Sequence, residues 1–378
     1  MRYPRFFLAW IYLLGLAVSP ALAQWIPTQV SPNPHSRTAP ATPSAPAAGS
    51  PAVPPPTPPP GSPLPPPPPP APARAPGNIP RLSVVSNLVN LTVSVQTRHG
   101  RFVPGLTAAD FRVYENNRLQ AIRFFSEEGK TPLTIGLLLD TSPSQINLLG
   151  AEQSLGANFF RSILRKDDLA FAISFDSDIR LLADFTANPA RLARGLNRAR
   201  IGGGGISSVL VNPGPFPSHA GMGGTRLWDA IVEACDDKLS GQAGRKALIV
   251  ITDGQDEGSR HTWRDAERAL LATNTVLYAM VAADPAFYRQ AGGWYTGAGD
   301  LRHIARDSGG GSFNAGRHMR RAFHQISVEL RHQYALAYVP QHPMNGGFYR
   351  LKVRLIKSVS RHRRVRARKG YYAIPGAS

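Results

Sequence analysis

The chain has 378 residues, a formal net charge of +19 at neutral pH and a sequence pI near 10.7. This length is enough for one domain with a full hydrophobic core and a second, smaller one. The single cysteine, Cys235, excludes an internal disulfide, so we expect it to be a small buried apolar residue. The positive charge is spread along the chain and indicates attraction to anionic surfaces in general, with no specific nucleic acid partner.

The first 23 residues have the pattern of a secretory signal peptide. Arg2 and Arg5 precede an apolar stretch over residues 6–18, and Ala21 and Ala23 have the A-x-A spacing of a cleavage site. The apolar stretch is shorter than the roughly 20 residues of a transmembrane anchor. We therefore expect cleavage after Ala23 and export to the periplasm, the cell envelope or the exterior, with no transmembrane segment left after cleavage.

Residues 24–80 are rich in proline, alanine, serine and threonine and include the run PPPTPPPGSPLPPPPPP. Such a composition has too few large apolar side chains to form a core. It favours extended polyproline II, at roughly 3.1 Å per residue. We interpret this segment as a disordered, Pro-rich linker that acts as a stiff spacer.

Two segments with the alternation of β-strands flank the middle of the chain. Residues 81–130 contain LVNLTVSVQT, FRVYEN and LQAIRFFSEE, and residues 334–378 contain the similar runs ALAYVP, GFYRLKVRLIK and RRVRARKGYYA. Each segment is too short to fold alone. We predict that they pair into one small β-domain through which the central domain is inserted.

The central residues, 131–333, alternate between apolar runs of strand length and helical patterns. The predicted strands are LTIGLLLD, DLAFAISF, IRLLADF, KALIVIT, TVLYAMVA and GSFNA. The predicted helices cover residues 148–164, 188–199, 227–239, 262–272, 300–306 and 319–331. This alternation predicts an α/β fold with a doubly wound, mostly parallel, Rossmann-like sheet flanked by helices. In such sheets, ligands bind at the carboxyl ends of the strands.

Five oxygen-bearing side chains follow these predicted strands or begin the helices after them. Asp140 and Asp253 each end a central strand, and two carboxylates at one sheet edge repel each other unless a cation lies between them. Ser142 and Ser144 occupy alternate positions of the loop after Asp140, and Thr225 lies in a glycine-flanked loop before a helix. Such ligands suit Mg²⁺, Mn²⁺ or Ca²⁺, so we predict that these five residues hold a divalent cation.

The pattern DTSPS, a distant threonine and a distant aspartate together resemble the metal-ion-dependent adhesion site of von Willebrand factor type A (VWA) domains. The resemblance covers roughly residues 131–315. It implies that Asp140, the two serines and Thr225 hold the metal directly or nearly so, that Asp253 often acts through water, and that an acidic side chain of a partner completes the coordination. The flanking segments resemble an exported bacterial subgroup of this family, best known from acidobacteria.

The sequence therefore favours an exported, metal-dependent adhesion module that is not an enzyme and binds a protein ligand through an acidic side chain. An anionic envelope surface is a further possible partner. Three alternatives stay open: Asp140 and Asp253 only cap helices, the site belongs to a metal-dependent hydrolase, or the domain is a scaffold. The hydrolase needs a general base, and neither His219 nor His303 belongs to a motif.

Two charged stretches lie outside this predicted site. Asp256 and Glu257 follow Asp253, and we interpret them as a solvated loop, with binding of a second ion as the alternative. Arg364, Arg366 and Arg368 alternate along a predicted strand, which indicates an exposed face that discourages edge pairing. Binding of an anionic polymer is the alternative for this basic stretch.

Overall fold

The computed structural model describes residues 88–128, 131–202, 224–290 and 298–374. The predicted signal peptide (1–23), the predicted linker (24–80), His219 and most of the loop 201–224 lie outside these ranges. Within them, no helix combines the length and the hydrophobicity needed to cross a bilayer.

The regular elements alternate along the chain. The strands are β1 Val89–Thr97, β2 Phe111–Glu115, β3 Arg118–Gln120, β4 Phe124–Glu128, β5 Leu133–Asp140, β6 Leu169–Phe175, β7 Ile179–Thr186, β8 Arg245–Thr252, β9 Thr275–Val281, β10 Gly311–Asn314, β11 Gln333–Tyr338, β12 Phe348–Leu355, β13 Arg363–Arg366 and β14 Gly370–Tyr372. The helices are α1 Leu149–Ile163, α2 Pro189–Leu196, α3 Leu227–Glu233, α4 Trp263–Ala272, α5 Pro285–Gln290, α6 Gly299–Asp307, α7 Met319–Arg331 and α8 Lys357–Ser360.

Six strands form the central sheet, in the order β10-β9-β8-β5-β6-β7. All neighbouring pairs are parallel except β6 and β7, which are antiparallel. The predicted α/β class with a mostly parallel sheet is confirmed. Leu139 of β5 lies opposite Ile251 of β8, so these two strands end side by side at one edge of the sheet.

Helices cover both faces of this sheet, which explains why all eight residues of β5 are buried. Leu137 and Leu139 pack in one apolar cluster with α1, α2 and α7. Leu138 packs in a second cluster with α3, α4 and α6. Gly136 is required on this second face because a Cβ atom there would lie 2.4 Å from the Phe171 ring. Cys235 is buried in the second cluster, as expected.

Two further four-stranded sheets, β13-β1-β11-β4 and β14-β12-β2-β3, share a third apolar cluster. In both, strands from before the central sheet pair with strands from after it: β1 with β11, and β2 with β12, all antiparallel. Val93, Phe111, Tyr334 and Leu351 lie in the shared cluster. The domain boundaries at residues 81, 131 and 334 stay predictions.

The arginines of the C-terminal stretch do not form one exposed face, so that interpretation was wrong. Arg364 is exposed, but the Arg366 guanidinium lies 3.1 Å from the Glu329 carboxylate, and Arg368 donates to the Asn90 carbonyl. Strand β13 also pairs with β1. The alternation along this strand reflects contacts with α7 and β1, which local sequence does not show.

Candidate metal centre

Asp140 is the last residue of β5, and the neighbouring strand β8 ends at Thr252. The Thr252 hydroxyl donates a hydrogen bond of 2.5 Å to Oδ2 of Asp140. The other oxygen, Oδ1, accepts the backbone N–H of Ser142 at 2.8 Å. The carboxylate is thus fixed from both sides, by the adjacent strand and by its own loop.

The serine loop connects Asp140 to Asp253. The hydroxyls of Ser142 and Ser144 lie 3.1 Å apart, and Ser144 donates to Oδ2 of Asp253 at 2.6 Å. Pro143 starts a short 3₁₀ helix over Pro143–Gln145, in which Ser142 occupies the N-cap position but makes no capping hydrogen bond with its side chain. The Ser142 hydroxyl therefore faces its neighbours in the site instead of the helix end.

Asp253 immediately follows β8 and receives hydrogen bonds from three elements. Its Oδ1 accepts the Gln255 N–H at 2.9 Å. Its Oδ2 accepts both the Ser144 hydroxyl and, at 2.6 Å, the hydroxyl of Tyr288 on α5. Neither Asp140 nor Asp253 accepts from a helix N-terminus in these contacts, since each binds an N–H two residues further along its own loop.

Thr225 lies two residues before α3, and its loop is attached to the loop after β8. The Thr225 carbonyl accepts the Glu257 N–H at 2.9 Å. Asp256 accepts the Leu227 N–H at 2.9 Å and the Ser259 hydroxyl at 2.6 Å. Asp256 therefore binds the start of α3 and is half-buried, so for this residue the interpretation as a solvated loop was wrong, whereas Glu257 is exposed as that interpretation predicts. No hydrogen bond in the described ranges joins the Thr225 hydroxyl to the other four predicted site residues.

The site is buried and acidic. Each of the five predicted residues is at most 8% exposed: Asp140, Ser142, Ser144, Thr225 and Asp253. Burial, together with the charge of Asp253, raises the pKa of Asp140 to about 7, although hydrogen bonds from Thr252 and Ser142 act in the opposite direction. No ion pair among the described residues involves Asp140.

These side chains fit a hard divalent cation. They offer carboxylate and hydroxyl oxygens, with neither a thiol nor an imidazole, and such donors suit Mg²⁺, Mn²⁺ and Ca²⁺. A cation here would also favour the ionised form of Asp140, which burial disfavours. Asp140, Ser142, Ser144 and Asp253 are brought together by hydrogen bonds, and Thr225 lies on a loop that is attached to the same sheet edge.

Among solved structures, similar chains match about half of this protein. BatB from Bacteroides thetaiotaomicron has 16% identity and a TM-score of 0.37, over 53% of this chain and 99% of its own. Proximal thread matrix protein 1 from the mussel byssus has 12% identity and a TM-score of 0.42, over 57% of this chain and 49% of its own. That structure is described as having a zinc-occupied MIDAS motif. The VWA domain of SpRpn10 has 9% identity and a TM-score of 0.31, over 46% of this chain and 79% of its own.

The matched structures thus include proteins described as VWA domains, the family that the DTSPS pattern resembles. No family model matches the chain, and no curated protein matches it.

Three residues of the network were missed by sequence reasoning. Thr252 precedes Asp253 in the run ITDG, so its place at the end of β8 was a usable signal. Gln145 donates to the Ser144 hydroxyl at 3.3 Å and to the Ala282 carbonyl at 3.2 Å. Tyr288 belongs to α5, a six-residue helix too short to give a clear periodic pattern, so nothing in the sequence placed its hydroxyl beside Asp253.

A second acidic cluster in the described ranges does not need a metal. Ligand atoms of Glu267, His303 and Asp307 lie within 4.8 Å of one another. However, the Lys369 ammonium lies 2.6 Å from Glu267 and 3.0 Å from Asp307, and already supplies the positive charge. His303 contacts Asp307, Arg306 and the Trp263 ring, and none of these residues belongs to the site at the ends of β5 and β8.

Proposed function

We propose that this protein is a metal-dependent binding module that holds a divalent cation at Asp140, Ser142, Ser144, Thr225 and Asp253. A carboxylate of a partner protein binds to this cation. Mg²⁺ is the expected ion, with Mn²⁺ or Ca²⁺ as substitutes. The site has no catalytic role in this proposal.

One observation carries the proposal: two buried carboxylates from adjacent strand ends are linked through hydroxyl groups. Ser144 connects to Asp253, and Thr252 connects to Asp140. Helix capping does not require two acids from different strands to converge, and the backbone N–H groups that these carboxylates bind, those of Ser142 and Gln255, belong to their own loops. A shared cation explains why they converge.

The charges suit a site that binds an external acid. Two carboxylates neutralise a divalent cation, and the hydroxyl ligands add no further charge. A cation held this way retains the ability to attract another carboxylate, since protein-bound ions are the largest local charges in their sites. The chain's own residues thus fix the ion, and the partner supplies the remaining acidic oxygen.

We further propose that the module is exported and separated from its point of attachment by the Pro-rich segment over residues 24–80. This rests on the signal-peptide pattern and on the linker composition. The positive net charge favours anionic envelope surfaces as a further partner. The resemblance of the flanking segments to an exported acidobacterial subgroup agrees with this proposal and stays a prediction.

Cation binding is the direct test. Purified protein is titrated with Mg²⁺ and Mn²⁺ by calorimetry, for the wild type, Asp140→Ala and Asp184→Ala. Asp184 is an exposed aspartate on β7, so its substitution removes the same charge away from the site. We expect binding in the wild type and in Asp184→Ala, and none in Asp140→Ala.

The alternatives predict different results. Turnover of simple ester or phosphate-monoester substrates that depends on Mn²⁺ and is lost in Asp140→Ala would favour the hydrolase. Absence of cation binding in the wild type would favour the scaffold.

The partner is sought by capture of proteins from envelope extract, with and without chelator. Ligands of this site are the proteins that are lost when the cation is removed and that Asp140→Ala does not capture.

A further inference from the structure

A third buried acid lies close to the proposed metal centre. Glu152 is on α1, eight residues after Ser144, and its side chain is fully buried (0% exposed). Neither of its carboxylate oxygens has a hydrogen-bond partner among the described residues. Its charge interacts with those of both Asp140 and Asp253.

Such an environment is costly for a carboxyl group. A buried polar group without a hydrogen bond loses its hydration and gains nothing in return, and a buried charge loses far more. Burial, followed by the charges of Asp140 and Asp253, holds the pKa of Glu152 well above its usual range. The described residues thus provide Glu152 with neither a donor nor a compensating cation.

The same fold provides partners for one carboxylate oxygen of another buried glutamate, although Oε1 of that residue has none among the described residues. Glu329 on α7 is only 3% exposed, but its Oε2 accepts Gln96 at 2.7 Å and Arg366 at 3.1 Å. The contrast is informative because both residues face the protein interior from a helix. Glu329 has partners suited to a structural role, whereas the charges that act on Glu152 within the described ranges are those of two proposed metal ligands.

We propose that Glu152 is a third acidic residue of the cation site, which acts on the bound ion through its charge. It strengthens cation binding and increases the preference of the site for ions of higher charge. This inference rests on the proposed function, because it needs a cation at Asp140 and Asp253. The ion supplies the positive charge that the surroundings of Glu152 otherwise lack.

The dependence on ion charge separates this role from a packing role. Coulomb energy is proportional to the charge of the ion. If removal of the Glu152 charge weakens binding of a divalent ion by about tenfold, the same change weakens binding of a trivalent ion by about thirtyfold. A variant that only disturbs the packing of α1 weakens both by the same factor.

The test measures Mn²⁺ binding by calorimetry and Tb³⁺ binding by luminescence. The proteins are the wild type, Glu152→Gln, Glu329→Gln and Asp140→Ala. We expect Glu152→Gln to lose about tenfold in affinity for Mn²⁺ and about thirtyfold for Tb³⁺. Glu329→Gln, the matched change at a buried glutamate with partners, keeps wild-type affinity for both ions.

Thermal melting in chelator shows whether each variant folds. Glu152→Gln is expected to melt no lower than the wild type, because it removes an acid that has no hydrogen-bond partner in the described ranges. Glu152→Met repeats the Mn²⁺ and Tb³⁺ measurements with a side chain that has neither a charge nor the polar amide of glutamine. Wild-type affinity in both Glu152 variants, or equal losses for Mn²⁺ and Tb³⁺, would overturn the inference. If Asp140→Ala still binds both ions, the proposed function itself fails, whereas loss in Asp140→Ala alone overturns only the role of Glu152.

Discussion

Asp140 and Asp229 are both buried aspartates, but their surroundings shift their pKa values in opposite directions. Asp229, on α3, accepts two hydrogen bonds from Arg226, at 2.9 and 2.7 Å, and one from the His261 N–H at 2.9 Å. Although burial alone would raise its pKa, these donors lower it to about 2. Asp140 has hydroxyl and backbone donors and no ion pair in the described chain, and its pKa is raised to about 7.

This difference separates a structural acid from an acid that we propose binds a cation. Asp229 fixes the start of α3 to the residues after β8, because its oxygens are fully used by groups of the protein. The Asp140 carboxylate is also fixed by hydrogen bonds, but no Lys, Arg or His side chain of the described residues forms an ion pair with it. The fold can therefore satisfy a buried aspartate with its own groups, and the lack of an ion pair at Asp140 among the described residues supports our proposal that a cation binds there.

The largest expected effect concerns the structural acid. Asp229→Ala removes the partner of Arg226 and of the backbone N–H groups at residues 260 and 261. Loss of one partner of a buried ion pair costs about 3 kcal/mol or more of unfolding free energy. Urea unfolding in the presence of chelator measures it, with the exposed Asp184→Ala as the control. A loss below 1 kcal/mol would contradict the structural role.

Asp140 should show the reverse behaviour. Without a cation, Asp140→Asn is expected to be at least as stable as the wild type, because it removes a buried carboxylate with a raised pKa. Mg²⁺ at about 100 times its dissociation constant stabilises the wild type by about 2.7 kcal/mol and the variant not at all. Thermal melts with Mg²⁺ and with chelator test this. Equal stabilisation of both proteins would remove Asp140 from the site.

The pH dependence of stability sharpens the contrast. The folded pKa of Asp229, about 2, lies below the ordinary value of 3.8. Its contribution is therefore fully present above about pH 4 and is lost as the pH falls through the folded pKa. A shift of this size corresponds to about 2 kcal/mol. The unfolding free energies of wild type and Asp229→Asn should converge between pH 4 and 2, and a constant difference over this range would contradict the shift.

The sequence was sufficient to predict the central sheet. The run LTIGLLLD has only one polar residue, Thr134, before its terminal aspartate, which is the pattern of a strand covered on both faces, and all eight residues of β5 are buried. The apolar run IRLLADF gave no such guide to direction. It forms β7, an antiparallel edge strand with exposed residues, because its direction depends on a short connection from β6.

The site was harder to predict wherever the partner of a residue is distant in sequence. The strand-end rule identified Asp140 and Asp253, because that rule depends only on where a strand stops. It could not identify Tyr288, which lies 35 residues from Asp253, or the attachment of Asp256 to Leu227, 29 residues away. The Arg366 contact with Glu329, 37 residues away, was missed for the same reason.

Thr252, one of the three residues that sequence reasoning missed, gives the smallest expected effect. Its hydroxyl holds Oδ2 of Asp140 at 2.5 Å without being a predicted ligand. Residues that orient a metal ligand typically contribute 10- to 100-fold to affinity. We expect Thr252→Val to weaken Mn²⁺ binding by about tenfold, at the lower end of that range, because Ser142 still fixes the other oxygen of Asp140.

The control is Thr275→Val, a matched change at a buried threonine of β9 whose hydroxyl is hydrogen-bonded to that of Thr273. This variant should leave Mn²⁺ affinity unchanged. If both variants bind Mn²⁺ as tightly as the wild type, the orientation of Asp140 depends on its own loop and the adjacent strand only positions the two carboxylates side by side.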